Sequence, residues 1–137
     1  MNVRSIRHGL AANAAAIPGL TTYGFCPASV EVPCLYAGEV TIDYDTTFGG
    51  DSQLEVACYL LVSMADDEDG QAALDAYLST SGPRSVKAAI EAVPGLGGAC
   101  DDLQVRRAEA YRMYRVGDTD YYGAKLPVRV IGVPEQE

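Results

Sequence analysis

The most regular pattern in the chain is the run Leu54-Glu55-Val56-Ala57-Cys58-Tyr59-Leu60-Leu61-Val62-Ser63, within residues 53–64. Every second residue from Leu54 to Val62 is apolar, which predicts a β-strand because successive side chains of a strand point to opposite faces of the sheet. The alternate positions are also largely apolar. We therefore expect a central strand that is covered on both faces.

A second strand signal lies in the C-terminal third of the chain. Residues 102–116 and 121–132 predict a pair of strands around the turn 116–120, where Gly117 and Asp118 suit the unusual torsions of a hairpin. Residues 121–132 alternate apolar and polar side chains. Pro127 interrupts this strand because it lacks a backbone donor, so we expect an edge strand or a bulge there.

Three segments predict helices. Residues 2–16 place apolar side chains three and four residues apart, which makes one helix face. A second helix is expected from Asp66, whose side chain can cap the first turn, and a third from Pro83, a residue favoured at the first helical position. Two short strands, 30–36 and 39–44, are expected on either side of a break at Gly38.

Together these signals predict one α+β domain over residues 1–137. A largely antiparallel or mixed sheet is flanked by an N-terminal helix and one or two short central helices. We expect a flexible loop at about 45–52 and a frayed C-terminal tail at 133–137.

The composition excludes several classes of function. The chain of 137 residues has ten Lys and Arg against nineteen Asp and Glu, with a net charge of −9, whereas proteins that coat DNA or anionic membranes are usually basic. The sequence has no apolar run long enough for a membrane span. No CxxC pair and a single histidine argue against a zinc site. The even count of four cysteines permits disulfides, but Cys58 lies in the middle of a predicted strand, so we expect reduced thiols in an intracellular setting.

Motifs for catalysis and metal binding fail on inspection. His8 is the only histidine, and no GxSxG elbow accompanies it. The acids before Gly70 do not have EF-hand spacing, and Gly95–Gly98 lacks the GK[ST] of a phosphate loop. Asp43 and Asp45 could share a metal, although such residues at a strand end are more often solvated. We therefore predict no catalytic residues, no metal site and no cofactor.

The charges are unevenly distributed along the chain. Six of the ten basic residues lie between 106 and 129, whereas acids are spread through the middle, notably 39–69. This arrangement suits a self-association surface with opposite signs on opposite edges, and such head-to-tail contacts can close into rings. Ordinary solvated faces are the alternative.

Several segments, in their order and at this chain length, resemble the tail terminator proteins of long-tailed, non-contractile phages that infect actinobacteria. They are Met1-Asn2-Val3-Arg4-Ser5-Ile6-Arg7-His8-Gly9-Leu10, Ile17-Pro18-Gly19-Leu20, Gln71-Ala72-Ala73-Leu74-Asp75-Ala76-Tyr77-Leu78, Ser85-Val86-Lys87-Ala88-Ala89-Ile90-Glu91 and residues 116–130. The four cysteines and Pro127 depart from the family pattern. These departures do not change the expected fold, but they affect which strands are expected at the edges of the sheet.

The resemblance implies a structural virion protein rather than an enzyme. It implies a homohexameric ring that caps the tail tube, stops its polymerisation and joins the tail tube protein to the head-completion or neck protein. DNA would pass through the lumen without specific binding, and six acidic copies would let it slide. The implied location is the tail or neck of the virion, assembled in the host cytoplasm, with no membrane. Alternatives are a head-closure or neck protein, a tail tube subunit, or an enzyme or small-ligand binder of another kind.

The residues expected to serve this role fall into two groups. Candidates for the subunit interface are Arg112, Arg115, Lys125, Arg129, Tyr121 and Tyr122. Candidates for contact with the tube or neck lie in the loops 45–52 and 117–121, namely Asp45, Phe48, Asp51, Asp118 and Asp120.

Overall fold

Three helices and six strands form the described part of the chain in a computed structural model, which describes residues 3–25, 27–43, 52–64, 67–98 and 100–132. The elements in order are α1 (Val3–Ala14), β1 (Thr21–Tyr23), β2 (Cys34–Asp43), β3 (Ser52–Ser63), α2 (Asp67–Tyr77), α3 (Val86–Glu91), a 3-10 turn (Leu96–Gly98), β4 (Asp102–Val105), β5 (Glu109–Val116) and β6 (Thr119–Gly132). The predicted α+β class is confirmed.

The strands form one mixed sheet in the order β1-β2-β3-β6-β4, and β5 also pairs with β6. Only β1 and β2 run parallel among the described strands. β3 pairs with one side of β6. The other side of β6 pairs with two strands, β4 along residues 128–131 and β5 along residues 119–125. β3 is therefore central, as predicted.

The three helices pack on one face of the sheet, which we call the helix face. The predicted alternation is confirmed there, because the inward side chains of β3 and β6 are at most 2% exposed: Leu54, Val56, Cys58, Leu60, Val62, Ala124, Leu126, Val128 and Val130. Ile6, Leu10 and Ala14 of α1 are fully buried against them. This burial of apolar area supplies the main driving force for folding.

The opposite face, which we call the open face, is only partly covered. A small second cluster consists of Cys34, Tyr36, Leu61 and Tyr114, with side chains from residues 30–32 packed against it. Elsewhere on this face Glu55 and Arg129 stay half exposed. The expectation that β3 is covered on both faces is therefore met on the helix face and only in part on the open face, where Ala57 and Leu61 are buried and Glu55 is partly exposed.

The break expected at Gly38 is also wrong. β2 runs through Gly38 as one strand, and a register shift between Ala37 and Val40 absorbs one extra residue as a bulge. Glycine is required here because a Cβ on Gly38 would lie 2.6 Å from Cε2 of Tyr59. Residues 30–33 lie outside the strands, so the first of the two predicted runs is reduced to Cys34–Tyr36.

Pro127 lies in an interior strand and not at an edge. Its carbonyl accepts a hydrogen bond from the backbone amide of Arg106 at 3.0 Å, and its nitrogen faces the same side. On that side of β6, residues 106–108 separate β4 from β5. The backbone N–H that Pro127 lacks would therefore point at the gap between these two strands. The single strand predicted over 102–116 is therefore two strands.

The turn between β5 and β6 is the predicted hairpin. Val116 pairs with Thr119, so Gly117 and Asp118 form a two-residue loop, with Gly117 at φ +62°. A positive φ at this first position is typical of the II′ turn, for which glycine is preferred.

The third helix begins later than predicted. Ser85 is its N-cap, with the Ser85 hydroxyl accepting from the amide of Ala88 at 3.1 Å and donating to the carbonyl of Ser79 at 2.5 Å. The buried serine satisfies a free amide of the first turn, which Pro83 in the preceding turn cannot do. The predicted cap at Asp66, the loop from 45 to 51 and the tail 133–137 lie outside the described residues, and Ser52 belongs to β3 rather than to a loop.

Candidate interaction surface

Two stretches on opposite sides of the sheet, β5 and residues 39–43 of β2, carry opposite charges, while β4 beside β5 carries the exposed Asp102. β5 pairs with β6 alone among the described strands and exposes Arg112 and Arg115. At the other edge, β1 covers only residues 34–36 of β2, so residues 39–43, with Glu39 and Asp43, have no outer partner strand in the described part of the chain. The charge distribution along the chain predicts a self-association surface of this kind, and association through these stretches stays a prediction.

The β5 edge combines basic and apolar side chains. Tyr111 is 47% exposed and Met113 is 56% exposed, both on the helix-face side. The Tyr111 hydroxyl donates to Asp75 Oδ1 at 3.0 Å, which fixes the ring beside α2. Arg115 Nε lies 3.9 Å from Asp120 Oδ1 with both side chains more than half exposed, so this ion pair contributes little to stability.

The β2 edge is acidic, with one exposed apolar side chain. Ile42 is 36% exposed, and its neighbours Thr41 and Asp43 are exposed. Glu39 Oε2 accepts a hydrogen bond from the Tyr59 hydroxyl at 2.5 Å. This hydrogen bond lowers the pKa of Glu39, so its carboxylate is charged at neutral pH.

An aromatic groove of about 470 Å³ crosses the open face between these edges. It is lined by Tyr36, Gly38, Glu39, Tyr59, Arg112 and Tyr114. The rings of Tyr36 and Tyr59 stack at 5.2 Å, and Tyr114 meets Tyr59 edge-on at 5.7 Å. The guanidinium carbon of Arg112 lies 4.1 Å from the centre of the Tyr114 ring, a cation–π contact.

Local backbone irregularities position these rings. The register of β5 on β6 shifts between Glu109 and Arg112, where Ala110 adopts φ +52°. The Tyr114 hydroxyl donates to the Ala110 carbonyl at 2.6 Å and so holds this bulge. Gly123 lies opposite Arg112, and its missing side chain leaves room for the Tyr114 ring, since a Cβ would lie 2.8 Å from Tyr114 Cδ2.

Burial and mutual contacts shift the pKa of three titratable groups in this groove. Burial and the Glu39 carboxylate raise the pKa of Tyr59, whereas the Tyr59 hydroxyl lowers the pKa of Glu39. Burial also raises the pKa of Tyr114. Glu39 is thus charged and the Tyr59 and Tyr114 hydroxyls stay protonated around neutral pH.

The six predicted interface residues are distributed over three places. Arg112 and Arg115 lie on the β5 edge. Lys125, Arg129 and Tyr121 lie on the open face of β6, where Lys125 Nζ is 3.9 Å from Glu109 Oε1 and Arg129 Nη2 donates to Gln53 Oε1 at 2.8 Å. Tyr122 instead packs against the core of the helix face. The structure therefore does not bring all six together.

The residues predicted to contact the tube or neck also fall in more than one place. Asp118 and Asp120 lie exposed at the end of the β5–β6 hairpin. Asp45, Phe48 and Asp51 lie outside the described residues. Among the residues that are described, no cluster of three or more histidine, cysteine or acidic side chains could hold a metal ion.

Sequence reasoning did not single out Ile42 and Met113 as exposed apolar residues. Ile42 alternates with polar neighbours, which predicts a strand with one buried face, and Met113 falls within a predicted strand. The alternation of apolar and polar residues predicts β2 and β5 as strands. Their position at the outside of the sheet follows only from the strand order.

Comparison with known proteins adds no assignment: no model of a protein family matches the chain, and no curated protein matches it. None of the described helices has both the length and the apolar character needed to cross a bilayer.

Proposed function

We propose that this chain is a structural virion protein that forms a homohexameric ring at the end of a long non-contractile phage tail. In this role it caps the tail tube, stops its polymerisation and joins the tube to the neck of the head, with DNA passing through the central channel. The proposal is supported by the ordered segments that resemble tail terminator proteins.

One observation carries the proposal, namely the unlike charge of the two sheet edges. A surface that binds its own copy across a two-fold axis must be complementary to itself. The β5 edge, with Arg112 and Arg115, and the β2 edge, with Glu39 and Asp43, are complementary to each other instead. Such a pair of edges favours head-to-tail contacts, which give rings when the rotation closes.

The apolar side chains supply affinity that the charges alone do not. An exposed ion pair contributes about 1 kcal/mol or less. Tyr111, Met113 and Ile42 are each more than a third exposed, and burying a large apolar side chain contributes roughly 1.5–3 kcal/mol. The charges then select the orientation and the apolar residues stabilise the contact.

The test is native mass spectrometry and negative-stain electron microscopy of the purified chain. We expect a species of six times the 14.5 kDa chain mass and a six-fold ring with an open bore. Charge reversal at Arg112 and Arg115 should shift the protein towards monomers. Reversal of Arg84, which is exposed in the segment between α2 and α3 and belongs to neither β5 nor β2, is the matched control.

The result against the proposal is a monomer or a closed dimer at every concentration and salt condition. The position in the virion is tested separately, by deleting the gene and measuring tail length. Overlong tails indicate a terminator, whereas tailless heads or tails of normal length indicate a tube subunit or a neck protein.

A further inference from the structure

We propose that β5 of one subunit pairs edge to edge with residues 39–43 of β2 in the next subunit, so that one sheet continues across the subunit boundary. This inference rests on the proposed ring and names the two surfaces that meet in it. The partner of each edge is thus a second copy of this chain.

The backbone of β5 is arranged for such pairing. Val116 and Thr119 close a two-residue hairpin, so Tyr114 and Arg112, at every second position, hydrogen-bond to β6. The amide and carbonyl of Met113 therefore point away from β6. The Met113 carbonyl accepts instead from Nη1 of Arg112 at 3.1 Å, which is consistent with this direction.

The sheet topology sets the direction of the contact. β2, β3, β6 and β5 each run antiparallel to the strand before them in that order. β2 and β5 of one subunit therefore point in opposite directions. When neighbouring subunits continue the sheet with the same orientation, β5 of one meets β2 of the next in the antiparallel arrangement.

The side chains of the two edges match face by face. Met113 lies on the helix face of β5, opposite Tyr122, and Ile42 lies on the helix face of β2, opposite Leu54. On the open face, Arg112 is opposite Gly123, and Asp43 is opposite Gln53. A continued sheet thus brings Met113 and Ile42 together on the helix face and Arg112 and Asp43 together on the open face.

One register satisfies both matches. If Met113 lies opposite Ile42, the antiparallel direction places Arg112 opposite Asp43 and Tyr114 opposite Thr41. A slip by one residue would put Met113 opposite a polar residue of the other face, which disfavours it. Two copies of β5 facing each other would instead bring Arg112 and Arg115 of both copies to one contact, and this concentration of like charge disfavours it.

The test uses two chains with one new cysteine each, Met113→Cys in one and Ile42→Cys in the other. Both carry Cys26→Ser and Cys100→Ser, while the buried Cys34 and Cys58 remain. Opposed residues of antiparallel strands have Cα atoms about 4.5–5.5 Å apart, within the range that a disulfide needs. We expect oxidation of the mixture to give a mixed dimer and oxidation of either chain alone to give none.

The control chain carries Val93→Cys in place of Met113→Cys. Val93 is 50% exposed but lies after α3, outside β5 and residues 39–43 of β2. Mixed with the Ile42→Cys chain, it should not form a disulfide. An equal yield in the control would attribute crosslinking to random collision and overturn the inference.

A charge exchange tests the register independently of cysteine chemistry. Arg112→Glu and Asp43→Arg should each weaken subunit contacts by about two- to fivefold, as expected for an exposed ion pair. The chain with both changes should assemble as the unchanged chain does. Failure of this rescue overturns the proposed register.

The outcomes distinguish this inference from the ring itself. A six-fold ring in which the Met113→Cys and Ile42→Cys chains form no mixed disulfide overturns the edge pairing and leaves the ring standing. A mixed disulfide dimer from a protein that forms open chains but no six-fold ring in electron microscopy supports the pairing and overturns the ring. A disulfide formed by the Met113→Cys chain alone overturns head-to-tail pairing, and a monomer without crosslinks overturns both.

Discussion

Replacing Gly123 by alanine should destabilise the protein because the interior of the sheet has no room for a methyl group at that position. An added Cβ would lie 2.5 Å from the carbonyl oxygen of Leu60, 2.6 Å from Cδ2 of Leu61 and 2.8 Å from Cδ2 of Tyr114. The two side chains can turn, but the carbonyl is held in the sheet between β3 and β6. We expect a loss of about 1–3 kcal/mol, as is usual for overpacking in a core.

The assay is unfolding by heat and by urea, followed by circular dichroism. For a domain of this length the loss corresponds to a decrease in Tm of roughly 3–12 °C. Gly95→Ala is the matched control, since its Cβ would meet only the Cys100 carbonyl at 3.7 Å, and we expect a change within about 0.5 kcal/mol. If Gly123→Ala and Gly95→Ala unfold at the same temperature, the close packing of the open face is refuted.

Three further predictions concern single groups. Ser85→Ala should cost about 1–2 kcal/mol in chemical denaturation, because it removes the cap of α3; an unchanged midpoint contradicts this role. The lowered pKa of Glu39 gives stability that is present above its ordinary value of 4.5 and is lost as the pH falls through the lower folded-state value. Tyr59→Phe should return the Glu39 pKa towards 4.5 in an NMR titration, and an unchanged pKa would count against the hydrogen bond. Burial raises the pKa of Cys58 to about 12, so a thiol reagent at pH 8 should label Cys100 before Cys58 in the native protein; equal labelling rates, mapped by mass spectrometry, speak against that burial.

Periodicity predicted the elements whose side chains face the main core. β3, β6 and α1 each bury one regular stripe, so the pattern of apolar residues alone identifies them. The hairpin was equally accessible, because Gly117 and Asp118 have the torsional preferences of a two-residue turn. These features depend on local sequence.

Features set by more distant contacts could not be predicted in this way. Gly38 looks like a break in sequence, but the ring of Tyr59 fills the space beside it within a continuous strand. Pro127 looks like an edge residue, although its missing donor falls beside the gap between β4 and β5. The candidate surface has the same limitation, since Ile42 and Met113 become edge residues only through the strand order.

Unlike edges also have a consequence for how assembly depends on concentration. A subunit that joins one neighbour through β5 still leaves its own β2 edge open, so linear oligomers always keep one unsatisfied end of each kind. Closing the ring satisfies both ends in a single intramolecular step, at a high effective concentration. Under the proposed pairing, intermediates of two to five subunits are therefore scarce, and dilution converts closed rings to monomers over a narrow range of concentration.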